Sequence, residues 1–460
     1  GIVREVLKHP SVRSIDFVEL DPALVSVVHD FAPKGWLDGN AKASVTSYYG
    51  DGREYVAKTM NMYDVAIVSA GMPTSLQVNR FYTVEFFRSV ERVLDKDGIL
   101  SIKIASPGAY VGPALASLAA SLANACKAVF PVVIMLPGEY INILASPGLD
   151  LRAQTPLVLE RLRRRGIITS YVNQFVLWDT LSEMRIAQLD STVARYDTGR
   201  ENSDGRPVSF TLAMSIWEKH FRSGRVISSI TSWVTPEKCT LLLLVVSVIT
   251  VGFYMAATRA GLRAFPWFMA LYSMGFTTMF TQILVILGFQ IVSGYIYGRM
   301  AAVVAAFMVG MGLASSLAAL KKPGPPRQSF FSLLAAGLII LPLAVVLALS
   351  LLRGDPRSLP SQVPDIVFAG IAFLSGALGG AIFSTASALV GATGRPVSGV
   401  GALSYSLDLA GASVAGFATG FLLIPAMGLN GSAYAVSAFN LLAFVIITIV
   451  MRASSESRLR

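Results

Sequence analysis

Beyond Cys239 the sequence is a series of apolar runs, at about 239–257, 267–292, 296–319, 330–352, 366–390, 400–424 and 431–451. A helix needs about 20 apolar residues to cross hydrocarbon, and most of these runs reach that length. The segments between them carry helix breakers: Lys321-Lys322-Pro323-Gly324-Pro325-Pro326-Arg327, Arg353-Gly354-Asp355-Pro356 and Gly394-Arg395-Pro396. Glycines recur at four-residue spacing in Gly376/Gly380 and Gly416/Gly420, a spacing that lets helix backbones approach closely in lipid. Buried helices of a soluble protein would need a far larger polar shell than this chain has. Residues 236–460 are therefore expected to form an all-α polytopic transmembrane bundle of about seven segments, with the lipid bilayer as partner.

Charge supports this division. Charged residues make up 14% of the chain, against about 25% in soluble domains, and the shortfall is local. Twelve Lys and Arg and four Asp and Glu follow Cys239, leaving 26 and 24 before it. The net charge of +10 thus sits mainly in short loops of the apolar half, where it reads as membrane topology charge rather than a nucleic-acid surface. Basic residues alternate by loop. Arg259, Arg263, Lys321, Lys322, Arg327, Arg395, Arg452, Arg458 and Arg460 fall on one side, and Arg299, Arg353 and Arg357 on the other. The positive-inside rule puts the C-terminus in the cytoplasm. Seven full spans would then put the first half outside, whereas one non-crossing or re-entrant run would put it inside.

The first half alternates strand and helix patterns: strands Ser14–Leu20, Ala43–Tyr49, Asp64–Ser69 and Ile99–Ile104, and helices Pro22–Phe31, Thr83–Leu94 and Pro113–Phe130. Phe86, Phe87, Val90 and Leu94 share one helical face. Pro137-Gly138-Glu139 lies between Val132–Leu136 and Tyr140–Leu144 and reads as a hairpin. This order predicts an α/β Rossmann-like domain over 1–150 with a mostly parallel sheet and a ligand at the carboxyl ends of the strands. Residues 151–235 read as a mostly helical appendage and connector.

Two features suit a nucleotide. Glu19 ends the Val18-Glu19-Leu20-Asp21 strand, where an acid commonly accepts hydrogen bonds from ribose hydroxyls; Asp21 reads mainly as a helix cap. Gly50-Asp51-Gly52 follows the next strand, and its carboxylate can accept from an exocyclic amine, although Asp-Gly is also turn chemistry. No glycine-rich phosphate loop is visible, and upstream residues are expected to be missing. Cys126 and Cys239 lie in no metal-ligand spacing, His9, His29 and His220 are isolated, and no metal site is expected.

Arg4-Glu5-Val6-Leu7-Lys8-His9-Pro10, Val18-Glu19-Leu20-Asp21, Gly50-Asp51-Gly52-Arg53-Glu54-Tyr55, Asn79-Arg80-Phe81-Tyr82-Thr83 and Pro137-Gly138-Glu139-Tyr140 resemble the spermidine synthases, the polyamine aminopropyltransferases. Gly275-Phe276-Thr277 and Leu407-Asp408-Leu409-Ala410-Gly411 resemble the bacterial membrane-fused branch of that family, whose helices are similar to half of a major-facilitator transporter. The resemblance implies a methyltransferase-type Rossmann-like fold, decarboxylated S-adenosylmethionine as co-substrate, and aminopropyl transfer to a small-molecule amine with release of methylthioadenosine. It implies that Glu19 binds the ribose, that Asp51 with Gly52 lies at the adenine, and that Gly1 is the last trace of the glycine loop. It also implies a bacterial plasma membrane protein with its soluble domain in the cytoplasm.

One departure weighs against catalysis. Where the family carries a DxxDP-type motif, this chain reads Ser69-Ala70-Gly71-Met72-Pro73, so Ser69 and Met72 replace the acids that hold and deprotonate the amine. An amine with a pKa of about 10 needs such a base. The alternative is a non-catalytic nucleotide-binding regulator of, or fusion to, a polyamine- or solute-transporter-like bundle. Tyr82, Gln282 and Asp408 are the candidate substrate or transport residues; Asp408 is the one acid inside an apolar run, and such residues are functional candidates by default.

Overall fold

The computed structural model describes residues 1–31, 43–106, 111–167, 169, 172, 174–218, 238, 265–294, 297–320, 328–352, 360, 362–392 and 397–456. The chain divides into two compact units, Gly1–Gly224 with Gly294–Ile296, and Arg225–Ser293 with Tyr297–Arg460.

The first unit runs α1 (Ile2–Val6), β1 (Ser14–Glu19), α2 (Pro22–Phe31), β2 (Ser44–Tyr49), α3 (Gly52–Lys58), β3 (Tyr63–Val68), α4 (Leu76–Asn79), a 3₁₀ turn (Arg80–Tyr82), α5 (Val84–Glu91), β4 (Leu94–Ala105), α6 (Pro113–Lys127), β5 (Val132–Leu136) and β6 (Tyr140–Ser146). Helices α7 (Leu151–Gln154), α8 (Val158–Arg164), α9 (Gln174–Thr180), α10 (Glu183–Arg195) and α11 (Val208–Glu218) follow. This is a Rossmann-like α/β domain with a helical continuation. β1 and β2 pair in parallel, with Glu19 opposite Tyr49. A second sheet has the order β3-β4-β6-β5; β3 and β4 are parallel, while β4–β6 and β5–β6 are antiparallel. The expected mostly parallel sheet is thus corrected: the hairpin at 137–139 makes half of the described pairings antiparallel, because a short turn can only join antiparallel neighbours.

The core forms where the periodicity put it. Phe86, Phe87 and Val90 of α5 are buried with Leu100, Ile102 and Ile104 of β4 and Leu118 and Leu122 of α6. Leu94 belongs to β4 and not to the helix, because the Tyr63 N–H bonds the Val93 carbonyl at 2.8 Å and draws the chain alongside β3. Pro113 opens α6, where a missing N–H costs nothing. Cys126 in that helix is buried, and burial pushes its thiol far up, which keeps it inert.

A carboxylate ties β1 to α3 and β3. Asp16 Oδ2 accepts from Tyr63 Oη at 2.6 Å, Tyr55 Oη at 2.8 Å and Asn61 Nδ2 at 3.2 Å. Burial pushes the Asp16 carboxyl up, but these donors outweigh it and hold it below the usual aspartate range. A lowered pKa contributes stability above the unfolded value, and that stability is lost as pH falls through the folded value. The stability advantage of the natural chain over D16N should therefore be constant at neutral pH and shrink below about pH 4. Thermal unfolding between pH 7 and pH 3 checks this; an advantage that grows on acidification would contradict it.

The second unit is a packed bundle of long apolar helices: α12 (Phe265–Ser293), α13 (Tyr297–Ala319), α14 (Gln328–Leu352), α15 (Gln362–Gly391), α16 (Val397–Ala418), a π-helical turn (Thr419–Leu423) and α17 (Ile424–Glu456). Among the described residues, five stretches are long and apolar enough to cross a membrane, the last being Gly399–Val445. Gly428 interrupts that last stretch with φ +70° and ψ −178°, a conformation outside the helix and open to glycine. Six of the seven apolar runs thus fall in described helices. The run 239–257, Cys239, His220 and the basic residues Arg259, Arg263, Lys321, Lys322, Arg327, Arg353, Arg357, Arg395, Arg458 and Arg460 lie outside the described residues, as do the breaker segments at 321–327 and 353–356.

The two glycine pairs part company. At Gly376 a side chain would collide with the Phe307 carbonyl, and at Gly380 with that of Met311, so α13 and α15 meet backbone to backbone. Gly416 has only the end of Met279 at 3.9 Å, and Gly420 has open space. Close approach therefore holds for the first pair and not for the second. Pro342 lies inside α14 and, lacking an N–H, leaves the Leu338 carbonyl without its helical donor. Asn440 Nδ2 supplies one at 3.1 Å, and Ser437 Oγ bonds the Ile339 carbonyl at 2.8 Å. Asn440 Oδ1 also accepts from Thr277 Oγ1 at 2.9 Å, so one amide joins α12, α14 and α17.

Candidate functional site

The carboxyl ends of β1 and β2 lie side by side. The parallel register sets Glu19 beside Tyr49, and the Gly50 N–H donates to the Glu19 carbonyl at 2.9 Å. Glu19 Oε1 accepts from the Asp21 N–H at 3.2 Å. Asp21 Oδ1 accepts from the Ala23 N–H at 2.9 Å and so caps α2. Asp51 is buried and caps α3, its Oδ1 accepting from the N–H groups of Arg53 at 2.9 Å and Glu54 at 3.1 Å. Its Oδ2 forms an ion pair with the Arg80 guanidinium. The carboxylate expected at an adenine is thus engaged on both oxygens within the fold. Gly52 opens α3 with Phe81 Cε1 3.5 Å from where a Cβ would stand, and Gly1 is exposed at the start of α1.

The segment after β3 is organised from behind. Gly71 has φ +80°, so the turn needs a residue without a Cβ. The Tyr82 hydroxyl donates to the Gly71 carbonyl. Tyr82 is 1% exposed, and burial raises its phenol to about 12. It supports the turn from inside the domain and has no surface to offer an amine. Ser69 is exposed. Met72 packs against the hydrophobic core, together with Ala70. The two positions where acids were expected therefore differ: one faces out and the other faces in.

The turn Arg80–Tyr82 joins these loops, with Arg80 on Asp51 and Tyr82 on Gly71. Behind it lies a buried polar network that local sequence did not announce. Asp204 takes Arg53 in a two-pronged pair, with Nη1 to Oδ1 at 2.7 Å and Nη2 to Oδ2, and accepts from Thr83 Oγ1 at 2.9 Å. The Asp204 N–H donates to Glu85 Oε2 at 3.0 Å. Asn202 donates to the Tyr82 carbonyl at 2.8 Å and accepts from the Ser209 N–H at 3.1 Å. Burial lowers the Arg80 guanidinium to about 10, so it stays charged at neutral pH. Arg53 stood in a quoted motif, but its partner lies 151 residues on. Among the described residues, no three His, Cys, Asp or Glu side chains converge as metal ligands do.

In the membrane half, Asp408 lies against Gly275, while Gln282 is buried and neither of its amide atoms has a hydrogen-bond partner. Asp365 lies in the first turn of α15 rather than in a loop and pairs with Arg299, Nε to Oδ2 at 2.7 Å.

The inward Met72 and outward Ser69 have separable expected effects. Met72→Asp should cost the domain about 1–3 kcal/mol, because it sets a carboxylate against apolar core. Ser69→Asp should stay within about 0.5 kcal/mol, as exposed substitutions do. Thermal unfolding of the two variants decides it; equal losses would contradict the placement.

The first part of the chain is similar in sequence to known proteins. The family model described as Spermine/spermidine synthase domain matches residues 1–145. The polyamine aminopropyltransferase of Moorella thermoacetica is 36% identical over 107 residues, which is 23% of this chain and 37% of that protein. That of Bacillus cereus is 33% identical over 176 residues, 37% of this chain and 61% of that protein. A crystal structure of spermidine synthase in complex with the transition state analogue AdoDATO aligns with TM-score 0.33 at 21% identity, over 42% of this chain and 64% of that one. The chain spans between about a third and three fifths of these two curated relatives' length.

The first 145 residues thus form a spermidine-synthase-like domain of Rossmann-like fold. That domain is followed by a bundle of long apolar helices suited to membrane association.

Proposed function

We propose that the first domain is a membrane-tethered relative of the polyamine aminopropyltransferases that binds an adenosyl nucleotide of the decarboxylated S-adenosylmethionine type and no longer transfers its aminopropyl group to an amine. The observation that carries this reading is Met72 packed against the core beside an exposed Ser69. A hydroxyl and a partly buried thioether give a cationic amine neither a counter-charge nor a base, and an amine protonated at neutral pH is no nucleophile. Glu19, at the end of β1 and beside the Gly50-Asp51-Gly52 turn, would accept from the ribose hydroxyls; Asp51 would hold the turn in shape through α3 and Arg80. The nucleotide is a cytosolic metabolite in this reading, which places the domain on the cytoplasmic side of a bacterial plasma membrane.

Calorimetry on the full chain in detergent tests the reading, with decarboxylated S-adenosylmethionine and methylthioadenosine as ligands, alongside methylthioadenosine release in the presence of di- and polyamines. The expected result is nucleotide binding that E19A weakens at least about tenfold, the worth of one charge-assisted hydrogen bond, with no amine-dependent release. Absence of nucleotide binding would sink the reading. Amine-dependent release would make the protein an active aminopropyltransferase that draws its base from elsewhere.

A further inference from the structure

The membrane half holds a carboxylate that the nucleotide reading does not use. Asp408 stands near the middle of α16, where it meets α12 at Gly275. A Cβ on Gly275 would lie within 2.5 Å of Asp408 Oδ1 and would collide with the Asp408 carbonyl. A Cβ on Gly411 would in the same way strike the Tyr272 carbonyl. The two backbones therefore touch at Asp408 and again three residues on at Gly411, and the Asp408 carboxyl group lies on a bare stretch of helix instead of a donor. Among the described residues, Asp408 enters no hydrogen bond or ion pair. One turn earlier on the same face, Ser404 is fully buried and its Oγ has no partner.

The contrast with Asp365 is direct. That acid, near the start of its helix, has a two-pronged pairing with Arg299. Among the described residues, Asp408 has no such neighbour. The facing helix α12 carries no Asp, Glu, Lys, Arg or His, and α14 carries none either; α15 carries only Asp365, and α16 only Asp408 itself. The titratable side chains nearest along the two packed helices are the phenols of Tyr272 on α12 and Tyr405 on α16, and Tyr405 is 61% exposed. Asp408 is half-buried on an otherwise apolar helix, and a carboxylate drawn out of water without a counter-ion is strongly disfavoured against its neutral acid. A hard metal ion would relieve it only with about six oxygen ligands, and no second carboxylate lies on α12, α14 or α16.

We propose that Asp408 is a proton-binding site of the membrane bundle: its carboxyl takes up one proton and releases it at the α12–α16 seam, with the unpartnered Ser404 hydroxyl one helical turn away. The balance is one proton onto a carboxylate oxygen and the same proton off, with no other reactant. This stands apart from nucleotide binding by the first domain.

The test is labelling by dicyclohexylcarbodiimide, which reacts with protonated carboxyls in apolar surroundings. The full chain is reconstituted in liposomes, and the Asp408 peptide is followed by mass spectrometry between pH 5 and pH 9. The expected result is labelling of Asp408 that is absent in D408N and that falls about tenfold per pH unit above its midpoint, the slope of a single protonation. G275A, whose methyl would meet the Asp408 carbonyl as well as its carboxyl group and so open the seam, should shift the midpoint. The infrared band of a protonated carboxyl, present in the natural chain and missing from D408N, gives a reading independent of reagent access. No labelling at any pH together with no such band would overturn the proposal. Protection by sodium at constant pH would overturn it too, in favour of a metal ion.

Discussion

Replacement of Arg53 by alanine is expected to cost the first domain about 3–5 kcal/mol, the loss typical when one member of a buried ion pair is removed. The pair is well shielded: the side chains of Arg53 and Asp204 are 12% and 2% exposed. Without the guanidinium, Asp204 faces Glu85 with Thr83 as its remaining side-chain donor. Burial, and then the charge of Asp204, already push the Glu85 carboxyl up. A raised folded pKa means the folded state holds its proton more tightly, so protonation relieves the strained pair as pH falls. The deficit of R53A should therefore be larger at pH 8 than at pH 5. Denaturant unfolding of the full chain in detergent, followed by a signal from the first domain, measures it. A loss under about 1 kcal/mol would mean that the pair behaves as a surface contact. The loss should extend to the proposed nucleotide site, because Arg53 also donates to the Arg80 carbonyl at 3.1 Å, and Arg80 holds Asp51.

Gly376→Leu is expected to destabilise the bundle by about 3 kcal/mol, the upper end of the overpacking range. The clash is with the Phe307 carbonyl and not with a side chain, so no rotamer change can relieve it, and α13 must move away from α15. That movement also loosens Gly310, which sits against the Phe373 carbonyl on the same seam. Gly420→Leu is the control: open space surrounds it, and the protein should keep its melting temperature within a few degrees. Thermal unfolding with size-exclusion in detergent compares the two, and equal tolerance would contradict the close packing of α13 on α15.

The sequence by itself determined the division into an α/β half and an apolar helical half, because both rest on local regularities. Apolar periodicity marked β1 to β3, β5, β6 and the long helices to within a few residues, whereas β4 begins five residues before the expected Ile99. Pro137-Gly138-Glu139 announced the hairpin, and Glu19, Asp51 and Ser69 were legible as residues at strand ends, since a strand's end is itself a local event. The tertiary structure decided which way and against what those residues act. Met72 and Ser69 are three residues apart, and only the packing of the turn behind β3 sends one inward and leaves the other outside. Asp51 was read as a ligand for an exocyclic amine, but a guanidinium from 29 residues further on stands against it. Asp204 has no distinguishing sequence context; its weight comes from a pairing across 151 residues. Gly376/Gly380 and Gly416/Gly420 are the same pattern to a reader of sequence, yet only the first faces another backbone. Spacing fixes which residues share a face of one helix, and the arrangement of the whole bundle fixes what that face meets.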